Sequence, residues 1–243
     1  MPYFYNKLNQ KIAYKFFKGK SPGIIFIHGL NSNMQGTKAL SIEKYAKKRG
    51  ISFLKFDCRG HGKSQGNFND FTISDWKNDL LNMIDITKGP QILIGSSMGG
   101  WLMFLVAKLR KPKICGLIGL AAAPDFTKPL FKELPIKNRN QIKQYGITQI
   151  KKGQYKYVFS KNFFIDGNKN AILKRKLNIT IPIILIHGLK DKEVKPQLTN
   201  TIAKKISGKN IQIRFLKNSD HSLSKKNDLK IINNAISNIL NLI

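Results

Sequence analysis

The stretch GSSMG at residues 95–99 constrains the fold of this chain more than any other part of the sequence. A short apolar run at 91–94 precedes it, and a helical apolar run at 101–107 follows it. This is the strand, tight turn and helix that a G-x-S-x-G motif requires, with Ser97 at the apex. The turn is so sharp that side chains two residues before or after the serine would collide with backbone, and glycine has no Cβ to collide.

The position of Ser97 predicts a nucleophile. At the N-terminus of a helix, free N–H groups and the helix dipole favour negative charge that develops on a substrate. A serine hydroxyl is a weak nucleophile at neutral pH, so it needs a base, and the base needs an acid that orients it. The partners of Ser97 should therefore be one histidine and one carboxylate.

The chain has four histidines, so the base can be sought by elimination. His28 and His187 each end an apolar strand, and His61 lies in a glycine-rich turn. For these three we expect structural roles. His221 follows the last apolar strand, at 211–216, and a base there completes the chain order Ser, acid, His. We therefore predict His221 as the base.

Three aspartates compete for the role of the acid. Asp191 follows a buried strand by a few residues, and the chain between it and His221 has room for one helix and one strand. Such a unit would bring both residues to the same edge of a sheet. Asp125 also follows a strand and is the main rival, whereas Asp220 adjoins His221, and neighbours in a loop seldom orient each other's rings. We predict Asp191 as the acid.

The negative oxygen of an acyl-transfer intermediate needs two backbone donors. One is predicted to be the N–H of Met98, which directly follows the nucleophile. The other is expected from the loop after the early strand that ends in His28 and Gly29, so we predict the N–H of Leu30.

Several motifs occur in an order that is typical of one large family. They are IFIHG at 25–29, DCRGHGKS at 57–64, the turn at Ser97, HGLKD at 187–191 and DH at 220–221. On these motifs the chain resembles the α/β-hydrolases of the serine esterase and thioesterase kind. The resemblance implies an α/β-hydrolase fold, with a mostly parallel central sheet flanked by helices and a small helical cap.

Three further segments of the sequence resemble one subgroup of this family. They are GTKA at 36–39, Trp76 with Asp79, and GPQILIGSSMGGWLM at 89–103. These segments resemble the mitochondrial palmitoyl-protein thioesterases among the abhydrolase-domain proteins, which are also described as acyl-glucuronide esterases. That resemblance implies Ser97, Asp191 and His221 as a catalytic triad. It also implies acyl esters or thioesters as substrates, including S-acylated proteins.

Two kinds of alternative stay open from the sequence. Within the serine hydrolases, a carboxylesterase or lipase, a peptidase and a carbon–carbon hydrolase use the same machinery. Outside that class stands a non-catalytic polyanion-binding protein on a hydrolase scaffold, because fold does not guarantee function. All three candidate triad residues are present, which favours an enzyme. A protein that had lost its catalytic activity in evolution would be expected to lack at least one of them.

The order of apolar runs predicts a single α/β domain over residues 1–243, with a sizeable core. The predicted strands are 12–17, 23–28, 51–56, 91–95, 114–120, 182–187 and 211–216. The predicted helices are 38–49, 74–87, 98–110, 195–206 and 226–241. Residues 125–178 break the alternation, with helical stretches and no clear strand, and are predicted to form a cap over the site. The side chains suited to an acyl-binding wall there are Phe126, Phe131, Leu134, Tyr145, Tyr155, Tyr157, Phe159, Phe163 and Phe164.

The net charge is +30, from 43 Lys and Arg against 13 Asp and Glu. Such an excess suggests a polyanion partner. However, only six of the basic residues are arginine, which is preferred for bidentate phosphate contacts, and the lysines are spread over the whole chain. Abundant Lys, Asn and Ile together indicate A/T-rich codons. We therefore expect weak retention of nucleic acid at low salt and no specific nucleic-acid partner.

The sequence carries no C-x-x-C or H-E-x-x-H motif, so neither a metal nor another cofactor is expected. The N-terminal residues lack the apolar core of a signal peptide, and the longest apolar runs are too short to span a bilayer. On these grounds we expect a cytoplasmic protein without a transmembrane segment. The sequence does not indicate an oligomeric state.

Overall fold

The computed structural model describes residues 2–152 and 155–243, without the side chains of Lys152 and Tyr155. The predicted role of Tyr155 in an acyl-binding wall therefore lies outside the described residues. The strands are β1 Tyr3–Tyr5, β2 Lys11–Phe17, β3 Lys20–Ile27, β4 Ile51–Phe56, β5 Gln91–Ser96, β6 Ile114–Leu120, β7 Ile147–Lys152, β8 Tyr155–Ser160, β9 Ile183–Gly188 and β10 Ile211–Leu216.

The helices alternate with these strands through most of the chain. They are α1 Thr37–Arg49, α2 Ile73–Asp85, α3 Met98–Ala107, α4 Thr127–Glu133, α5 Ile136–Tyr145, α6 Lys161–Lys169, α7 Gln197–Lys205 and α8 Lys226–Leu240. Within the described part of the chain, none of them is both long and apolar enough to cross a bilayer.

The central sheet runs in the order β1-β2-β4-β3-β5-β6-β9-β10. Its neighbours from β4 to β10 pair in parallel, while β1 and β2 join antiparallel at one edge. This is the mostly parallel sheet, flanked by helices, that the sequence predicts. All seven strands predicted for this sheet form, and of its described strands the sequence does not predict the short edge strand β1.

Successive residues of β3 point to opposite faces of the sheet, as they must in a strand. Ile24 and Phe26 pack with α1 and α8, and Ile25 and Ile27 pack with α2 and α3. Both faces of the parallel strands are therefore covered by helices, which explains why these strands read as continuous apolar runs.

The carboxyl ends of the parallel strands meet at one edge of the sheet. The register pairs Ile27 with Gly95, Ser96 with Leu120, and Gly188 with Leu216. Loops that leave these ends start side by side, and that edge is where open α/β sheets bind their ligands.

The cap segment at 125–178 contains more than helices. It holds α4, α5 and α6, and also an antiparallel hairpin of β7 and β8, so the prediction that it lacks strands is wrong. The two strands are six residues each and contain three lysines, which obscure the apolar alternation in the sequence. Thr148 and Phe159 pair across the hairpin, and both are buried.

The layer formed by β2, β4 and α1 encloses one buried carboxylate. Glu43, 6% exposed, accepts ion pairs from Lys15, Lys47 and Lys55 at 2.9, 2.8 and 2.9 Å. Lys55 is completely buried. Burial would raise the pKa of Glu43, but hydrogen bonds from the three ammonium groups lower it to about 2. The charge of Glu43 therefore compensates the buried charge of Lys55.

We expect Glu43→Gln to lower the free energy of unfolding by about 3 kcal/mol or more at pH 7, because it leaves the Lys55 ammonium buried without its partner. Since folding lowers the pKa of Glu43, its contribution is present above pH 4.5 and disappears as the pH falls towards about 2. Urea unfolding at pH 7 and pH 3 measures both effects. Lys15→Met removes the half-exposed partner and should cost less than about 1 kcal/mol; an equal loss in both variants would contradict this account.

Candidate active site

Ser97 lies between the end of β5 and the first turn of α3, as the sequence predicts. Its backbone has a φ of +52°, in the left-handed region that L residues rarely adopt. The Ser97 N–H donates to Leu120 O at 2.9 Å, and the Ala123 N–H donates to Ser97 O at 3.1 Å. Two hydrogen bonds to the end of β6 and the loop after it therefore hold the serine in this unfavourable conformation.

The glycines of the turn are needed for close contacts of the backbone. A Cβ on Gly95 would lie 2.5 Å from Gly99 C, and a Cβ on Gly99 would lie 2.6 Å from His28 O. The start of α3 thus rests directly on the end of β3. This contact brings Ser97 next to the loop that carries Leu30.

The loop after β3 is held by a buried histidine. His28 Nε2 accepts from Cys58 N–H at 3.0 Å, so its Nδ1–H donates to Gly29 O at 2.8 Å. Burial lowers the pKa of His28 to about 4, which keeps the ring neutral at physiological pH. Asp57 holds the far end of the same loop by accepting from Met34 N–H at 2.7 Å. His28 therefore has a structural role, as expected from the sequence.

Leu30 lies in the loop after β3, and Met98 directly follows Ser97 at the start of α3. Leu30 and Ser97 line the same cavities, and Met98 is the first residue of α3. The N–H groups of Leu30 and Met98 have no hydrogen-bond partner among the described residues.

Asp191 and His221 are joined by a short hydrogen bond. His221 Nδ1–H donates to Asp191 Oδ2 at 2.7 Å. The carboxylate side chain is buried, the ring is 27% exposed, and the ring lines both cavities that contain Ser97. The structure thus brings the three predicted residues to one site at the carboxyl edge of the sheet.

Asp191 also contacts a second histidine, which the sequence analysis treats only as a strand end. His187 Nε2–H donates to Asp191 Oδ2 at 2.9 Å, and His187 Nδ1 accepts from the Thr199 hydroxyl at 2.7 Å. Asp191 Oδ1 accepts from the N–H groups of Glu193 and Val194. In the sequence, the only sign of this hydrogen bond is that His187 and Asp191 are four residues apart in HGLKD. That spacing does not show which way the His187 ring points, so it could not predict the bond.

These hydrogen bonds control the charge of Asp191. Burial alone would raise its pKa, but the bonds from His187, His221 and Val194 hold it well below the usual range. The carboxylate is therefore ionised at neutral pH, and it can orient an imidazole and stabilise its protonated form.

The rival carboxylates have other partners. Asp125 accepts from the N–H groups of Ile172 and Leu173 at 2.8 and 2.9 Å, so it ties the start of the cap segment to its end. Asp220 is exposed and accepts from the N–H and hydroxyl of Ser222 in its own loop. Neither is hydrogen-bonded to a histidine within the described residues.

The fourth histidine, His61, packs among rings and not against Ser97. Its ring centroid lies 5.0 Å from that of His28 and 5.1 Å from that of Trp76. Burial lowers the pKa of His61 to about 3, so the ring is neutral. The expected structural role is consistent with this packing.

A cavity of about 670 Å³ opens beside Ser97 and His221 under the cap. Its apolar lining residues are Leu30, Ala123, Phe126, Pro129, Leu130, Ile150, Tyr157, Phe159 and Val194. Three of the predicted wall aromatics, Phe126, Tyr157 and Phe159, thus line it. Phe163 and Phe164 are buried in the core instead, and Tyr145 is 68% exposed. The described residues contain no cluster of three or more His, Cys, Asp or Glu that could hold a metal ion.

Comparisons with known proteins show which family the chain resembles. A family model described as "Serine aminopeptidase, S33" matches residues 20–150. The chain is 37% identical over 235 residues to "Palmitoyl-protein thioesterase ABHD10, mitochondrial" of Bos taurus, covering 94% of this chain and 76% of the bovine protein. The solved structure of alpha/beta hydrolase domain-containing protein 10 from mouse superposes with a TM-score of 0.91 at 33% identity, covering 99% of this chain and 98% of that one. A putative hydrolase from Agrobacterium vitis has the same TM-score of 0.91 at 28% identity, covering 96% and 95%.

The expected cytoplasmic location is wrong. The ABHD10 relatives from Bos taurus, Mus musculus and Homo sapiens are all named mitochondrial, which points to a mitochondrial location. The prediction was based on the lack of an apolar leader. Such a leader directs secretion, so its absence carries no information on import into mitochondria.

The family model matches just over half of the chain, and the relatives and the solved structures match nearly all of it. The chain therefore belongs to the α/β-hydrolase family, and it is a serine hydrolase that acts on ester or thioester bonds.

Proposed function

We propose that this protein is an acyl-protein thioesterase, which removes long acyl chains from cysteine side chains through an acyl-enzyme intermediate. The observation that carries the proposal is the apolar cavity of about 670 Å³, which reaches both Ser97 and His221. The relatives named palmitoyl-protein thioesterase support the same substrate class. Most of its lining residues are aromatic or aliphatic, which suits an alkyl chain, and the charged residues Glu133, Lys192 and Glu193 line the rest.

In the first half of the reaction, Ser97 Oγ attacks the thioester carbonyl while His221 takes the serine proton. Asp191 keeps His221 in the tautomer with a proton on Nδ1, which leaves Nε2 free to act as the base. The negative oxygen of the intermediate is held by the N–H groups of Leu30 and Met98. The carbon–sulfur bond then breaks, and the proton from His221 neutralises the departing thiolate.

In the second half, water replaces the thiol. His221 removes a proton from the water, which attacks the carbonyl carbon of the ester on Ser97. The same two N–H groups hold the second intermediate. The bond to Ser97 Oγ breaks, His221 returns the proton to the serine, and the fatty acid leaves. In both halves of the reaction, His221 carries out every proton transfer.

The proposal is tested with S-acyl peptides and matched acyl esters of increasing chain length. The apolar cavity predicts that kcat/KM rises with chain length, because each buried CH₂ contributes about 0.8 kcal/mol. A preference for short acyl chains would contradict the thioesterase proposal and favour a carboxylesterase on small-molecule esters. Cleavage of peptide bonds in place of acyl bonds would favour a peptidase.

We expect Ser97→Ala to lower kcat by about 10⁶-fold without changing the thermal midpoint, because it removes the attacking oxygen. The adjacent Ser96→Ala is the matched control, since Ser96 is buried within β5. It should lower kcat far less. A fluorophosphonate should accordingly label the Ser96→Ala variant but not the Ser97→Ala variant. More than a tenth of the original activity in Ser97→Ala would remove this serine from the mechanism.

Two isosteric variants separate the candidate acids. Asp191→Asn should lower kcat by about 10⁴-fold, because an amide can hold the imidazole in the wrong tautomer. Asp125→Asn should affect the thermal midpoint more than kcat, since Asp125 binds the backbone at Ile172 and Leu173. Steady-state kinetics and thermal unfolding of both variants show which aspartate is the acid that orients His221. A larger loss of kcat in a folded Asp125→Asn would reverse the assignment.

His187 is expected to position Asp191 and not to touch the substrate. His187→Phe keeps a buried ring but removes the donor to Asp191, which should raise the pKa of that carboxyl and lower kcat about tenfold or more. The loss should be greatest at low pH, because a carboxyl with a raised pKa is protonated first there. His187→Gln, which can donate again, should restore much of the activity. An equal loss at all pH values in both variants would indicate only a packing role.

A further inference from the structure

A second cavity meets the apolar one at Ser97. It has a volume of about 280 Å³, less than half of the larger cavity, and lies between the loop after β3, the start of α1 and the loop after His221. Ser97, Leu30 and His221 line both cavities. A substrate whose carbonyl carbon is at Ser97 therefore has two separate spaces for its two halves.

The two spaces differ in size and in the side chains that line them. The larger one is lined mainly by aromatic and aliphatic side chains, with Glu133, Lys192 and Glu193 among the rest. The smaller one is lined by Ser32, Asn33, Thr37, Lys38, Ser222 and Ser224 together with the apolar Phe26, Leu30 and Ala39. Only the larger space has the volume and the aromatic lining for a long alkyl chain, so we assign the acyl chain to it and the leaving group to the smaller one.

Lys38 is the cation of the smaller cavity. It is half-buried in the first turn of α1, and its Nζ donates to the carbonyl oxygen of Ser222, directly after His221. An ammonium group has three donors, so two stay free. Among the described residues no carboxylate oxygen lies within 4.0 Å of Nζ; Asp220 and Asp228 act on it from farther away.

The surroundings of Lys38 favour an anion. Burial lowers its pKa to about 8, although Asp220 and Asp228 raise it in part, so the ammonium is incompletely compensated. The same cavity is lined by the N-terminus of α1 at Gly36 and Thr37, where no side chain caps the helix. Free N–H groups at such an end also attract negative charge.

We propose that the smaller cavity is a leaving-group subsite that selects S-acylated cysteines with a carboxylate next to them, as in an acidic peptide. This deepens the proposed thioesterase function and depends on it. The carboxylate binds the free donors of Lys38 while the acyl chain occupies the apolar cavity. Lys38 is then a specificity-determining residue, and the bond that breaks stays the carbon–sulfur bond at Ser97.

The subsite is tested with two S-acyl peptides that differ only by Asp or Asn after the acylated cysteine. In the unmodified protein we expect a higher kcat/KM for the Asp peptide. Lys38→Met should lower kcat/KM for the Asp peptide about tenfold, as the loss of one charge-assisted hydrogen bond does, and leave the Asn peptide within about twofold. Lys38→Arg should keep the preference. A carboxylated and a neutral aryl ester of the same acid provide the same comparison without a thioester.

The matched control is Lys44→Met, which removes an exposed lysine from the same helix. It accounts for the general attraction of an acidic substrate to a protein of charge +30. An equal loss for both peptides in Lys38→Met would mean that this lysine only supports the His221 loop, and the inference would be wrong. An equal preference for Asp in Lys38→Met and Lys44→Met would also overturn it. Ser97→Ala tests the proposed function separately, because it should abolish hydrolysis of both peptides.

Discussion

The contact between the start of α3 and the end of β3 is the constraint on which the site depends. A Cβ on Gly99 would overlap the carbonyl oxygens of Ile27 and His28, so only glycine lets the helix start there. At this contact Ser97 has a positive φ of 52° and lies beside the loop that carries Leu30. Strain of this kind persists because the surrounding hydrogen bonds, such as that from Ser97 N–H to Leu120 O, over-determine it.

A second constraint is the buried charge of Asp191. An isolated carboxylate in this environment would be protonated, since burial disfavours its charged form. Two histidines and two backbone N–H groups compensate the charge, and one of those histidines, His221, lines the same cavities as Ser97. One of the hydrogen bonds that compensate the buried charge of Asp191 thus also holds His221 in place. His187 and Thr199 extend this compensation into the core, away from the substrate.

The site has an asymmetric shape that follows from the layers of the fold. The cap, inserted after β6, covers one side of Ser97 with aromatic and aliphatic side chains. On the other side, α1 begins at Thr37 with uncapped N–H groups and carries Lys38. Ser97 therefore lies where the larger cavity meets the smaller cavity that contains Lys38. The proposed reaction uses the larger cavity for the acyl chain and the smaller one for the peptide.

The sequence by itself determined the order of strands and helices and the candidate residues at the strand ends. The apolar periodicity and the GSSMG turn depend on residues that are close together in the chain, so a short stretch of sequence is enough to recognise them. Only the tertiary structure decided which carboxylate meets which histidine, because Asp125 and Asp191 both follow strands and differ in what folds against them. The second histidine on Asp191, the β7–β8 hairpin and the separate smaller cavity at Lys38 escaped prediction for the same reason. Each depends on contacts between residues far apart in the chain, and such contacts exist only after the sheet has closed and the cap has packed on it.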